Sequence, residues 1–169
     1  MKGTKKYSKS THKKAIDTEG DPYLAKIAPN EAAECRKCGV FYINKRWVLA
    51  EESKKSGAGS REFKKVLCPA CQKIKDRYVG GYVSITGPFQ AAHRDEIINL
   101  IKNKEKVARS HNPLDRIMDM KDSNGGLEIT TTTEKLAQRI GQILKKSFHG
   151  EVEYKWSSDV KLARVRWTR

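Results

Sequence analysis

Residues 34–47 read ECRKCGVFYINKRW and residues 67–78 read LCPACQKIKDRY. Together they hold all 4 cysteines of the chain, in two Cys-x-x-Cys pairs, Cys35/Cys38 and Cys68/Cys71. A Cys-x-x-Cys turn offers two thiolates from one tight knuckle, and two knuckles complete a tetrahedron around one ion. The expectation is therefore a four-cysteine site holding one structural Zn2+. Four protein ligands leave no position open for water, so the site is expected to support folding rather than catalysis. Iron or a redox dithiol are the alternatives, though redox chemistry needs only one pair and no thioredoxin-like surroundings accompany either.

The residues around the pairs refine this. Gly39 lets the chain turn after the first knuckle without a Cβ clash. Between the pairs run two short strand-like segments, VFYI and RWVLA, and then a Ser/Gly/Lys-rich loop, EESKKSGAGSR. Pro69 suits a turn into a helix, and QKIKDRY has helical character. A knuckle, a hairpin and a second pair at a helix N-terminus describe a treble-clef module. A zinc ribbon, with a strand after the second pair, is the rival.

Outside this module the chain divides in two. Residues 1–30 are lysine-rich with few large apolar groups and read as a basic tail, disordered when free. Within it Asp21-Pro22-Tyr23-Leu24 reads as an exposed loop, although it is the one stretch able to dock as an anchor. Residues 31–80 form the four-cysteine zinc module. Residues 81–169 alternate strand and helix signals. YVSIT (82–86) alternates; Gly87-Pro88 breaks it and starts a helix marked by Phe89, Ala92, Ile97, Leu100 and Ile101. LDRIMDM (114–120) and LEITTTT (127–133) read as strands around Asn124-Gly125, a hairpin turn signal. Thr131 and Glu134 have the spacing of a capping box for a second helix, which carries Leu136, Ile140, Ile143, Leu144 and Phe148 on one face and ends at Gly150. EVEYKW follows, a turn at SSD, and a last strand with Ala163, Val165 and Trp167 on one face. The order β-α-β-β-α-β-β predicts an α+β fold: a ferredoxin-like split βαβ domain with one extra C-terminal strand at an edge.

Charge points to the partner. The chain of 169 residues has a formal net charge of +15, with 35 Lys and Arg against 20 Asp and Glu. Each segment contributes: +4 from 1–30, +6 from 31–80 and +5 from 81–169. Such an excess suits nucleic acid, whose phosphates release counterions to Lys and Arg. The candidate RNA contacts are Arg36 and Lys37 inside the first knuckle, Tyr42, Lys45 and Arg46 on the hairpin, Lys64 and Lys65 before the second pair, Lys73, Lys75 and Arg77 after it, and Arg164 and Arg166 on the last strand. Phe41 and Trp47 are assigned to the small core, and Tyr42 is left free to stack on a base. LEITTTT offers only Glu and Thr outward, so an RNA-recognition sheet with exposed aromatics is not expected. His93 reads as a packed or partly exposed side chain. No Rossmann or P-loop glycine spacing occurs, and the acidic residues are scattered, so an enzyme is not expected. No apolar run approaches the ~18 residues that span a bilayer, and the N-terminus lacks a signal-peptide core. A cytoplasmic protein is expected, where thiols stay reduced.

One resemblance adds to this. The series CxxCG, an aromatic-basic hairpin, CPxC, then Gly81-Tyr82-Val83-x-x-x-Gly87-Pro88-Phe89-x-x-x-His93-Arg94-Asp95-Glu96-Ile97, HNPLDRIM and a Val-x-Trp ending resembles a group of small bacterial zinc proteins over roughly residues 20–169. That group is in turn similar, through its cysteine plan and the β-rich segment after it, to the N-terminal zinc region of the Nmd-type adaptor family, which binds the large ribosomal subunit. The chain is much shorter than the adaptor, so an export role is not implied. The resemblance implies contact with ribosomal RNA and ribosomal proteins of the large subunit, in assembly, translation or ribosome hibernation. A DNA-binding or transcription-associated zinc protein and a protein–protein interaction adaptor are the alternatives.

Overall fold

The computed structural model describes residues 22, 23, 27, 28, 31–55, 62–123, 125–157 and 162–169. Most of the basic tail, the centre of the Ser/Gly/Lys loop, Asn124 and the turn after Trp156 lie outside the described residues. What is described is an α+β protein with two mixed sheets.

The first sheet is built around the cysteines, in the order β3-β2-β1-β4. β1 (Ala33–Cys35) pairs antiparallel with β2 (Phe41–Ile43) and parallel with β4 (Lys64–Val66). β2 turns into β3 (Arg46–Val48) through Asn44 and Lys45, at φ 51° and 63°. Both turn residues have positive φ, the requirement of a two-residue hairpin whose twist matches its strands. The sequence after β3 departs from expectation. EESKK is not loop but the helix α1 (Ala50–Lys55), with Glu51 and Glu52 in its first turn, where carboxylates favour the positive end of the helix dipole. After the second pair the chain forms a helix, α2 (Pro69–Asp76), not a strand. Pro69 stands in its first turn, where its missing N–H removes no helix bond.

The second sheet has five strands in the order β6-β7-β5-β9-β8. β5 (Gly81–Thr86) leads into α3 (Pro88–Ala92) and α4 (Arg94–His111). The predicted first helix therefore runs farther than its clear apolar stripe, and it breaks at His93, whose ring stacks on Phe89 at 4.1 Å between centroids. β6 (Ile117–Ser123) and β7 (Gly126–Thr131) form the predicted hairpin, with β7 inserted between β5 and β6. This is one split βαβ unit. α5 (Glu134–Phe148), β8 (Glu151–Trp156) and β9 (Ala163–Thr168) complete the chain.

Two sequence expectations are corrected here. The extra strand is not at an edge: β9 lies beside β5 and parallel to it, and β8 takes the edge. The reason is burial. Ala163, Val165 and Trp167 on β9 are all almost fully buried, whereas β8 leaves Tyr154 and Trp156 exposed. A strand with a full apolar face gains more from the centre of a sheet. The cap of α5 is Thr133, not Thr131, and its hydroxyl accepts from the N–H of Leu136. Thr131 is buried on β7 and donates its hydroxyl to the carbonyls of Gly81 and Thr133.

Both α4 and α5 cover the same face of this sheet. Ile97 and Ile101 of α4, and Leu136, Ile140 and Leu144 of α5, close over Val83, Ile85, Leu127, Ile129, Val165 and Trp167. The other face carries no helix among the described residues. A second, much smaller cluster lies in the first sheet: Cys35, Val40, Cys68, Ala70 and Cys71, with Trp47, Leu49, Leu67 and Leu114 packed against it. Three of its five buried members are the cysteines themselves, too little apolar surface to hold about fifty residues together alone.

Candidate metal centre

The turn after β1 brings Cys35 and Cys38 to one side of the small sheet. Gly39 at φ +70° reverses the chain there, and the N–H of Cys35 donates to the carbonyl of Val40 across the turn. β4 runs parallel to β1 in the register Cys35↔Val66 and delivers Cys68 to the same place. Cys68 also caps α2: its Sγ accepts from the N–H of Cys71 at 3.4 Å, while the N–H of Cys68 donates to Sγ of Cys35 at 3.3 Å. The four sulfurs all lie within 4.8 Å of one another.

A tetrahedral ion with metal–sulfur bonds of about 2.3 Å separates its sulfurs by about 3.8 Å. Sγ of Cys38 and Cys68 are 3.6 Å apart, close to that edge length and far from a disulfide bond. All four cysteines are free thiols, three of them buried. The donor set, the spacing and the hydrogen bonds from N–H to sulfur all fit a metal ion. Metal-free, the thiols hold their protons unequally. A hydrogen bond from Cys68 brings the Cys38 thiol down to about 4. The same bond, with burial, pushes the Cys68 thiol far up. Burial and then the bond to Cys38 push Cys71 up to about 11. Crowded sulfurs cannot all ionise without a cation among them.

One partner of this centre comes from far along the chain and is not among the sequence candidates. Arg116, just before β6, donates from Nη1 to Sγ of Cys71 at 3.4 Å. Its neighbours fix it: the N–H of Arg116 donates to Thr132 Oγ1, and that hydroxyl donates to the carbonyls of Leu114 and Arg116. Leu114 packs on the cysteine cluster. Asp115 points the other way, buried, accepting from Arg139, Thr133 and Asn112 at 2.8, 2.8 and 3.0 Å. The alternation of Leu114, Asp115 and Arg116 was the only sequence signal for this.

The candidate RNA contacts are scattered, and some are occupied. Arg36 and Lys37 are exposed inside the knuckle, beside the sulfurs. Lys45 and Arg46 are exposed at the hairpin turn, at the end of β2 remote from the knuckle, about 13 Å away at the rise of a strand. Lys64 pairs with Glu31 at 3.8 Å, and Lys65 pairs with Glu34. Lys73 donates to the carbonyl of Thr132 at 3.3 Å and stands over the rings of Tyr23 and Tyr78. Tyr23 itself lies against Tyr78, with centroids 4.9 Å apart and the rings tilted, so it is a docked ring, while Asp21 and Leu24 lie outside the described residues. Lys75 and Arg77 are exposed at the end of α2. Tyr42 is half-buried and faces Trp47, at 5.3 Å between centroids. Trp47 is in the core as assigned, but Phe41 packs edge-on against Phe63 and is not part of the cysteine cluster.

Arg164 and Arg166 stand exposed on the helix-free face of the second sheet. There the sequence reading missed Tyr82, whose ring is 44% exposed at the centre of that face. The alternation of YVSIT, with Val83 and Ile85 turned to the core, was the signal. No helix among the described residues is long and apolar enough to cross a membrane. Comparison of the chain with protein-family models, with curated proteins and with solved structures gives no match.

Proposed function

We propose that this chain is a zinc-stabilised, non-enzymatic RNA-binding protein that docks on the ribosome. The observation that carries the reading is the closed set of four cysteine sulfurs with Arg36 and Lys37 exposed between the first two. Four sulfurs fill the coordination sphere of zinc, so the metal is a frame, and the residues it holds outward are cationic. A knuckle, a hairpin and a second pair capping a helix make a treble-clef-like module. The chain's +15 charge supplies the long-range attraction to a polyanion. The resemblance to the Nmd-type zinc region selects ribosomal RNA among polyanions, and the large subunit and its proteins among its settings.

The reading of duplex DNA is less favoured. Its one candidate helix, α2, has 8 residues, and Lys73 on it is spent on Thr132 and two tyrosine rings. Major-groove readers need several free side chains on such a helix.

The test is sedimentation of a lysate through a sucrose gradient. Co-migration with ribosomal particles, lost at high salt, is expected. Arg36→Glu with Lys37→Glu should release the protein from the particles while its zinc content stays constant. A protein that stays at the top of the gradient in growing and starved cells alike overturns the reading.

A further inference from the structure

We infer that the helix-free face of the five-stranded sheet holds a subsite for one unpaired base of single-stranded RNA, stacked on Tyr82. The inference rests on the RNA-binding reading above and deepens it. Strand register arranges the face in two transverse rows. One row runs Thr130, Tyr82, Arg164, Lys155, and the next runs Glu128, Ser84, Arg166, Glu153. Tyr82 is the aromatic residue of these rows, on the central strand and 44% exposed. The guanidinium carbon of Arg164 lies 5.9 Å from the ring centroid. Ser84, the smallest side chain of the two rows, leaves a hollow beside the ring, a cavity of about 340 Å³ that reaches Glu128 and the arginines. That volume falls within the range of about 300–1,000 Å³ in which small ligands are held.

The three cations are free of carboxylate partners, and Arg164 leans over the Tyr82 ring. Arg164, Arg166 and Lys155 enter no ion pair among the described residues, and neither do Glu128 and Glu153. This set matches a nucleotide part by part. A π-face meets a ring, as in stacking platforms for single strands. The phosphates of the strand meet Arg164 and Lys155, which lie one after the other on the β9–β8 side of the ring. The carboxylate of Glu128, which only accepts hydrogen bonds, meets an exocyclic amino group. The carboxylates repel a bare phosphate chain, so the site favours a splayed base over a duplex, whose internal bases show no face. It also favours cytosine or adenine over uracil, which has no amino group to donate. The cysteine module abuts this sheet, because Lys73 donates to the carbonyl of Thr132, just past the end of the sheet where Gly81 pairs with Thr131.

The experiment measures fluorescence anisotropy of labelled single-stranded RNA of about eight nucleotides, within the span one such face covers, with the full-length zinc-loaded protein. Tyr82→Ala should weaken binding about five- to a hundredfold, the effect of removing one stacking ring. Tyr82→Phe keeps the ring and should bind as wild type. Glu128→Gln should shrink the preference for oligocytidine over oligouridine. Tyr82→Ala lies on an exposed face, and its urea midpoint checks that the fold is intact. Equal affinity of wild type and Tyr82→Ala, or a duplex bound as tightly as the single strand, overturns the inference. The two readings fail separately. A protein that sediments with ribosomes yet ignores Tyr82→Ala loses the subsite alone. One that binds short RNA through Tyr82 but stays off the particles loses the ribosome alone.

Discussion

Arg116 binds a sulfur of the cysteine cluster from outside the cysteine module, and removing it should loosen the metal. The substitution Arg116→Met keeps the side-chain stem and its packing but deletes the charge and the donor. The bond to Cys71 is a single N–H···S contact of 3.4 Å. A hydrogen bond to a charged group contributes about 1.5–3 kcal/mol. Arg116 is half-buried, so water screens part of it, and the lower end, about 1.5 kcal/mol, is the fair figure. That is about tenfold in affinity, at the low end of the losses of about 10- to 100-fold seen when partners of metal ligands are removed. Competition with a chromophoric zinc chelator at neutral pH reads it directly. Lys37→Met is the control: it removes a cation from the knuckle that makes no hydrogen bond to sulfur. If simple charge neutralisation held the metal, both variants would lose affinity alike. Equal losses, or no loss for Arg116→Met, would refute the argument that the bond itself matters.

Four further outcomes follow from the packing and the charges. Chelation should abolish hydrogen-exchange protection in residues 33–48 and leave that of β5, β7 and β9 in place, because the large core contains no cysteine; loss of both together would show one cooperative unit. Gly81→Ala places a Cβ 2.5 Å from Cβ of Ala137 and 2.7 Å from Oγ1 of Thr131, so it should cost about 1–3 kcal/mol in urea unfolding; an unchanged midpoint would mean β5 and α5 can part freely. Asp115→Ala strands three donors, one of them the half-exposed Arg139 that can rehydrate, and should cost about 2–3 kcal/mol, below the figure of about 3–5 for a fully buried pair; a loss under about 0.5 kcal/mol, the scale of a surface change, would show the network is ornamental. Zinc affinity should rise with pH through the neutral range. The sign follows from Cys68 and Cys71, whose raised values keep both protonated at neutrality, so each ion bound must displace protons; a flat pH profile would contradict it.

The parts of the fold that were legible in the sequence are those set by local rules. Cysteine spacing gave the cluster of four sulfurs, and alternation gave β5, β7 and the buried face of β9. Helical periodicity gave α5, and Asn124-Gly125 marked the β6–β7 hairpin. The misplaced parts depend on distant competition. Thr131 and Thr133 are both plausible caps in sequence. Which one caps was decided when the pairing of Thr131 with Gly81 on β5 took Thr131 into the sheet. The place of β9 was decided likewise: two neighbouring strands competed for one position beside β5, and the more fully apolar face won it. Short β1 and β4 carried no pattern of their own. They are visible only as a pair, Ala33–Cys35 lying parallel to Lys64–Val66 in a register that brings Cys35 and Cys68 together.

The same distance rule explains why the cations divided as they did. Lysine counts along residues 31–80 treat every charge as equal, but Lys64 and Lys65 lie on a strand beside Glu31 and Glu34 and are neutralised there. Arg116 is spent on sulfur and Arg139 on Asp115. Arg36, Lys37, Arg164, Arg166 and Lys155 enter no ion pair among the described residues, and they stand beside two features other than charge: a cysteine knuckle and the half-exposed ring of Tyr82. Residues 112–116 connect the two. Leu114 and Arg116 rest on the cysteine cluster, Asp115 grips the start of α5, and Thr132, which bonds both Arg116 and Lys73, directly follows β7, the strand next to Tyr82's own. A metal ion held by the four cysteines would thus set the position of the knuckle cations relative to the ring. Removing it should weaken the binding of RNA strands long enough to reach both the knuckle and the ring, and leave that of strands touching only the sheet unchanged, because the large core contains no cysteine.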